Sequence, residues 1–267
     1  MDERVRIDQK DGIADVRMVR ADKLNAVDLP MFVALVEAGK AIARDASVRA
    51  VVLSGEGRAF SSGIDLSTLG GVGERGGSGP QLFDRSPDSP ANLAQRAAWI
   101  WQEVPVPVIA AVHGVAYGAG LQVALGADIR FVASDARLSI REAYWGLVPD
   151  VAFTQTLRNV VGLDVAKEIT FTARIISGAE AVALRLATHA SDDPHRDATA
   201  LAREIAERSP DAVRAAKKLL NTALLGSVAD GLRLETELQI QVAGGANQRE
   251  AVRANLEKRK PRFRDPA

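Results

Sequence analysis

Residues 107–120 read Pro-Val-Ile-Ala-Ala-Val-His-Gly-Val-Ala-Tyr-Gly-Ala-Gly. With Val106 in front, the first half is apolar at every position, so no polar face alternates with an apolar one. A strand of that kind, Val106–Val112, belongs in a sheet covered on both faces. The second half is built from small residues and opens a short helix near Ala119–Leu125. A strand, a small-residue turn and a helix in succession indicate an α/β core, and such turns are where α/β proteins place their sites.

Upstream, Arg4–Asp8 and Ile13–Val19 flank Asp11-Gly12 and predict a hairpin. A helix follows, with Asp28 as its cap, Pro30 in its first turn and Phe32, Leu35, Val36 and Ile42 as its apolar stripe. Val48–Leu53 reads as a second strand, apolar at every position but Arg49. Residues 67–90 hold six glycines and three prolines, so no regular element is expected there, only a mobile surface loop. A helix around Asn92–Glu103 carries Trp99 and Trp101, expected to pack rather than to bind. Downstream, Asp128–Ala133 and Arg137–Ile140 read as strands. From Phe153 onward the pattern is helical, over 153–161, 165–171, 179–186, 197–208, 211–221, 232–242 and 248–259. The expected division is a core over 1–195 and a helical region over 196–267.

The 267 residues and 47% hydrophobic content suffice for one large domain, or for one domain with an appendage. Lys plus Arg and Asp plus Glu both number 34. A neutral chain exerts no overall pull on nucleic acid. The absence of cysteine removes disulfides, thiolate metal sites and a Cys nucleophile, and suits a reducing cytoplasm. The start, MDERVRID, is too charged for a signal peptide, and no apolar run is long enough to span a membrane. The histidines, His113, His189 and His195, are too scattered for a histidine-rich metal site.

Three loops carry the candidate chemistry. Ala59–Asp65 and Tyr117–Gly120 are rich in small residues that let backbone amides approach a ligand. Together they could present two N–H groups to one oxygen, or they could simply be tight turns. Arg141–Asp150 places two carboxylates, Glu142 and Asp150, in an apolar context that would raise their pKa values and fit them for proton transfer. The plain alternative is a surface pair with Glu142 bound to Arg141 or Arg137. The GVAYGAG run has the wrong spacing for a dinucleotide fingerprint, and GGVGERGGSG lacks the Lys-Ser/Thr of a phosphate loop.

Taken together, RADKLNAV (20–27), VVLSGEGRAFSSGIDL (51–66), PVIAAVHGVAYGAG (107–120), ADIRFVASDARLSIREAYWGLVPD (127–150) and EKRKPRF (257–263) resemble the enoyl-CoA hydratase/isomerase (crotonase) family across nearly the whole chain. The resemblance implies a ββα spiral core with a helical C-terminal region that builds trimers or dimers of trimers. It implies a CoA thioester as substrate, with no other cofactor or metal. The amides of Ile64 and Ala119 would form an oxyanion hole. Ser62, Gly63, Asp65 and Gly118 would line the thioester site, with Lys23 and Leu24 toward the nucleotide end of CoA. Lys260, in the run Lys258-Arg259-Lys260, would either meet a CoA phosphate across a subunit boundary or end a helix as a solvated cation.

The hydratases of this family use two glutamates, one falling on Glu142 and the other where this chain has Gln122. An amide is neither a practical acid nor a base at neutral pH, so hydration by a carboxylate pair is not expected. AFSSGIDL, the Glu142–Asp150 spacing and FTAR (171–174) are similar to the Δ3,5-Δ2,4-dienoyl-CoA isomerases, in which the residue at Asp150 takes a proton and the one at Glu142 returns it. That subgroup has an aspartate at the position of Gln122, whose amide could instead hydrogen-bond Glu142. Isomerisation is therefore the leading expectation. The alternatives are isomerisation by Glu142 alone, hydration, and acyl-CoA binding without turnover.

Overall fold

The computed structural model describes residues 3–66, 68, 79–85, 87–158 and 160–266. Strands β1 (Val5–Lys10) and β2 (Ile13–Met18) form the expected hairpin. Asp11 and Gly12 both have positive φ, 51° and 77°, as a tight two-residue turn requires. Strands β3 (Ala50–Gly55), β4 (Val108–Val112), β6 (Ile129–Ala133) and β9 (His189–Ser191) extend the sheet in parallel, giving the order β1-β2-β3-β4-β6-β9.

The unbroken apolar strands are explained by two cores. Val51 and Leu53, with Val108, Ala110 and Val112, face one core beneath helices Leu29–Arg44, Leu93–Glu103 and Ala119–Leu125. Ala50 and Val52, with Ile109 and Ala111, face the other, where Ala198, Ala202 and Ala206 of helix Pro194–Ala206 pack on the sheet. Their i, i+4 spacing puts three small side chains on one helix face, so helix and sheet approach closely. This helix spans the division expected at 195/196.

A second sheet runs β5 (Val115–Tyr117), β7 (Arg137–Ser139) and β8 (Ile176–Ser177). β5 and β7 pair in parallel, as do the isolated bridges Ser61–Ala116 and Val27–Ile64. Each turn of the chain thus lays one strand in the large sheet and one short segment in a stack ordered 25–27, 61–64, 115–117, 137–139. That repetition is the ββα spiral.

Three strands, β5, β8 and β9, are absent from the sequence reading. At two or three residues each they carry no periodicity, and only their tertiary partners make them strands. Within 67–90, residues 67, 69–78 and 86 lie outside the described residues. The rest is not a free surface loop. Gly79–Leu82 forms a helical turn, Leu82 is buried in the core, and Asp88 pairs with the buried Arg96 at 2.8 Å. Trp101 is fully buried and Trp99 is half-buried.

Helices Leu163–Thr172, Pro210–Ala223, Val228–Val242 and Ala246–Leu256 confirm the helical C-terminal region. No helix among the described residues is long and apolar enough to cross a membrane. Lys217 anchors helix Pro210–Ala223 to the core. Its Nζ donates to the carbonyls of Trp101 (2.8 Å) and Val106 (2.9 Å) and pairs with Asp128 (2.8 Å). Burial holds its pKa below the usual lysine range, opposed by Asp128. Substituting Lys217→Met strips three acceptors of their donor at once. Chemical denaturation should show a loss of about 3 kcal/mol, and a loss below about 1 kcal/mol would remove Lys217 as an anchor.

Candidate active site

The stack of short segments builds the site. In the Val27–Ile64 bridge, the Gly63 carbonyl accepts from Val27 N–H (2.8 Å) and the Asp65 amide donates to the Val27 carbonyl (2.9 Å). Neighbouring residues of an extended segment point their peptide groups in opposite directions. The Ile64 N–H therefore points away from Val27, toward the 115–120 turn. That turn is locked by Tyr117 N–H to the Ser61 carbonyl (3.0 Å) and Gly118 N–H to the Ser139 carbonyl (2.9 Å). Ala119 is the first residue of its helix, so its amide has no carbonyl one turn back to bind.

Two glycines allow this approach. A Cβ on Gly63, at φ 92°, would stand 2.7 Å from the Tyr117 carbonyl oxygen, and one on Gly120 would stand 2.5 Å from Ser61 Oγ. Behind the first loop, the buried Asn25 donates to the carbonyls of Glu56 (2.9 Å) and Ala59 (2.8 Å). Asp65 pairs with Arg20 at 2.6 Å, which pins the loop's far end.

Both carboxylates line one cavity of about 800 Å³ with Lys23, Ser62, Gly63, Ile64, Asp65, Gly118 and Ala119. A volume of that size suits a small-molecule ligand. Its wall also includes Leu82, Phe83, Trp145, Leu147 and Val148, which make it largely apolar. Leu24 contributes its carbonyl to Ser62 N–H (2.9 Å) and is not part of the wall. Lys260 lies apart, exposed and paired with Glu207 at 2.8 Å. Arg141 lines the cavity too, as do Tyr117 and Phe32; the sequence offered Arg141 only as a partner for Glu142 and Phe32 only as part of an apolar helix stripe.

Glu142 is 9% exposed, and its Oε1 accepts from Gln122 Nε2 at 2.5 Å. Gln122 is fully buried, and its Oε1 accepts from the Val151 amide at 2.9 Å. A backbone N–H can only donate, so this bond fixes the orientation of the side-chain amide and turns its NH₂ to Glu142. Among the described residues Glu142 Oε2 is buried without a partner. It is the oxygen left free to hold or deliver a proton. Arg141 does not neutralise Glu142: its guanidinium donates to the Ala173 carbonyl (3.1 Å) and lies 4.1 Å from the centre of the Tyr144 ring.

Burial pushes the Glu142 pKa up to about 7. Its own backbone amide and Gln122 pull it down, and the charge on Asp150 raises it further. Asp150 is also raised by desolvation. It is open to the cavity, yet the concave wall around it displaces much of the water that would solvate its charge. Ile64 and Ala119 line one cavity with a pair of carboxylates of raised pKa; backbone amides turned to a carbonyl oxygen in such a place can stabilise negative charge on it while protons move. A second cavity, of about 770 Å³, has only Glu250 as an acid, bound by Arg253 and Arg259, and offers no such pair.

Comparison with known proteins gives the same picture. The chain matches the enoyl-CoA hydratase/isomerase family over residues 8–266. It is 32% identical over 249 residues to the peroxisomal Delta(3,5)-Delta(2,4)-dienoyl-CoA isomerase of Arabidopsis thaliana, covering 91% of this chain and 90% of that one. It is 33% identical over 265 residues to the mitochondrial enoyl-CoA hydratase domain-containing protein 2 of Bos taurus, covering 94% and 84%. The crystal structure of an enoyl-CoA hydratase from Bacillus anthracis superposes with a TM-score of 0.90 at 26% identity, covering 99% of this chain and all of that one.

The buried acid has a thermodynamic signature. Because folding raises the Glu142 pKa from 4.5 to about 7, the folded state favours the protonated form. Stability is full below the unfolded value and declines as pH rises through 7, by about 3 kcal/mol in all. Glu142→Gln should therefore melt near the parent at pH 4.5 and above it at pH 8.5. An equal or lower melting temperature at pH 8.5 would contradict the buried-acid assignment.

Proposed function

The chain belongs to the enoyl-CoA hydratase/isomerase family, and we propose that it isomerises the double bonds of an enoyl- or dienoyl-CoA by proton transfer. The observation that carries this reading is the residue beside Glu142. A fully buried amide, Gln122, stands there, and of the other two carboxylates on the cavity wall Asp65 is paired with Arg20, which leaves Asp150 as the second proton-transfer group. Hydration requires one group to take a proton from water while another protonates the α-carbon, and Gln122 can do neither.

In the proposed reaction the thioester oxygen lies between the amides of Ile64 and Ala119. Ionised Asp150 removes the proton from the carbon next to the thioester. The electrons move onto the carbonyl oxygen, where the two amides hold the enolate. Protonated Glu142 then delivers its proton to the far end of the conjugated system. One proton leaves the substrate and one arrives, so no water is consumed and no cofactor is needed. Gln122 orients Glu142. Lys23, with the Leu24 segment, is assigned to the nucleotide end of CoA. Self-association through the C-terminal helices is supported by exposed Leu220, Leu224, Val228 and Leu232.

The test is direct. Mixed with a 3,5-dienoyl-CoA, the protein should form the 2,4-conjugated product, followed by ultraviolet absorbance, and should leave a 2-enoyl-CoA largely unhydrated. Rapid loss of the 2-enoyl signal would make hydration the main activity. Asp150→Asn and Glu142→Gln should each lower kcat by roughly 100-fold or more; tolerance of Asp150→Asn alone would leave Glu142 as a one-residue isomerase. The pH profile has a definite sign. Isomerisation needs Glu142 protonated, so kcat should fall above its pKa of about 7. A hydratase using Glu142 as its base would rise through the same range.

A further inference from the structure

Arg141 is a cation without a matching anion on the wall of the cavity. Its guanidinium gives one hydrogen bond, from Nη1 to the Ala173 carbonyl, and rests 4.1 Å from the Tyr144 ring centre and 5.8 Å from that of Tyr117. Among the described residues no carboxylate forms an ion pair with it. The influences on Glu142 come from burial, its own amide, Asp150 and Gln122, and those on Asp150 from burial and its own amide. The remaining acid on the wall, Asp65, is bound by Arg20. A guanidinium has five N–H donors, and the ring faces satisfy none of them with an acceptor in its own plane.

Position adds the second half. In the stack of short segments Lys23 precedes the first rung and Arg141 follows the last, while Ile64 lies in the second rung and Ala119 just beyond the third. If the thioester is held between those amides, Lys23 and Arg141 flank it from opposite ends of the stack. Rungs are about 4.8 Å apart, so the backbone at Arg141 stands roughly a rung and a half from the thioester oxygen, and an acyl chain of about six carbons running along the shared cavity wall comes within reach of its side chain.

We infer that Arg141 is a specificity residue that receives a carboxylate at the far end of the acyl chain, so that the preferred substrates are CoA thioesters of dicarboxylic acids. This rests on the acyl-CoA reading of the cavity but not on the direction of proton transfer. A planar guanidinium backed by a tyrosine ring presents an edge suited to bidentate carboxylate binding. The other walls, Leu82, Phe83, Trp145, Leu147 and Val148, fit the methylene chain in between.

Saturated ligands separate this inference from the isomerase reading, because they bind without reacting. Calorimetry on the full chain should give adipoyl-CoA a Kd at least tenfold below that of hexanoyl-CoA, which has the same chain length and the same CoA. CoA is common to both, so any contact of Arg141 with its phosphates cancels in the ratio. Arg141→Gln should collapse the ratio toward one, and Arg141→Lys should keep part of it. Equal or tighter binding of hexanoyl-CoA by the unaltered protein overturns the inference, whatever the variants do. A ratio that survives Arg141→Gln assigns the preference elsewhere and overturns it too. If the 3,5-dienoyl-CoA is not isomerised while the ratio behaves as expected, the reaction assignment fails and the specificity assignment stands.

Discussion

The backbone of residues 61–64 lies against that of residues 116–120, and the rest of the site depends on that contact. Tyr117 N–H reaches the Ser61 carbonyl at 3.0 Å, and so close an approach leaves no room for a Cβ at 63, where the Tyr117 carbonyl stands, or at 120, where the Ser61 side chain fills the space. Once the turns touch, Ile64 and Ala119 line the same cavity. Gly118, at φ 47°, extends the arrangement: a Cβ there would stand 3.0 Å from Glu142 Oε1, so the same turn brings the carboxylate up to the amides.

A carboxylate brought that close and buried would lose much of its acidity, and the surroundings of Glu142 divide the control of it. Burial and the neighbouring Asp150 favour the neutral acid, while its own amide and Gln122 favour the anion. Gln122 exerts its pull without adding charge. A carboxylate in its place could still accept from the Val151 amide but would repel Glu142 instead of donating to it. The buried amide therefore does two things: it holds the 150–151 segment to the helix at Ala119–Leu125, and it keeps Glu142 titratable near neutrality.

The first rung needs its own bracing, because its backbone is strained. Leu24 and Asn25 both take positive φ, 50° and 53°, which costs energy for residues with a side chain. Asn25 offsets that cost with three hydrogen bonds: it receives one from the Arg20 amide and gives two to the 56–59 loop. Around it Arg20 reaches Asp65 at 2.6 Å and Asp28 at 3.5 Å, and Arg4 reaches Asp28 at 2.9 Å. Asp28 also caps the helix that follows, through the Met31 amide. One carboxylate thus ties the hairpin, the strained turn and the first helix together.

Some of this protein could be read from its residues alone. The unbroken apolar runs at 50–53 and 106–112 required a sheet with two covered faces, and both cores are there. Asp11-Gly12 required a hairpin, and Asp28 a helix start. Those features are local: they follow from side-chain period and backbone freedom within a few residues. Glycines at 63, 118 and 120 marked the right turns, but whether they served a ligand or merely a tight turn was undetermined, since that depends on what each glycine faces. The short strands β5, β8 and β9, the buried Leu82 and the guanidinium of Arg141 in the cavity wall had no local signal. Arg141 sits beside Glu142 in sequence yet bonds to Ala173 and the Tyr144 ring. Only the stacking of successive turns decides which neighbours in the chain are neighbours in space, because each rung takes its partners from the turns before and after it, tens of residues away.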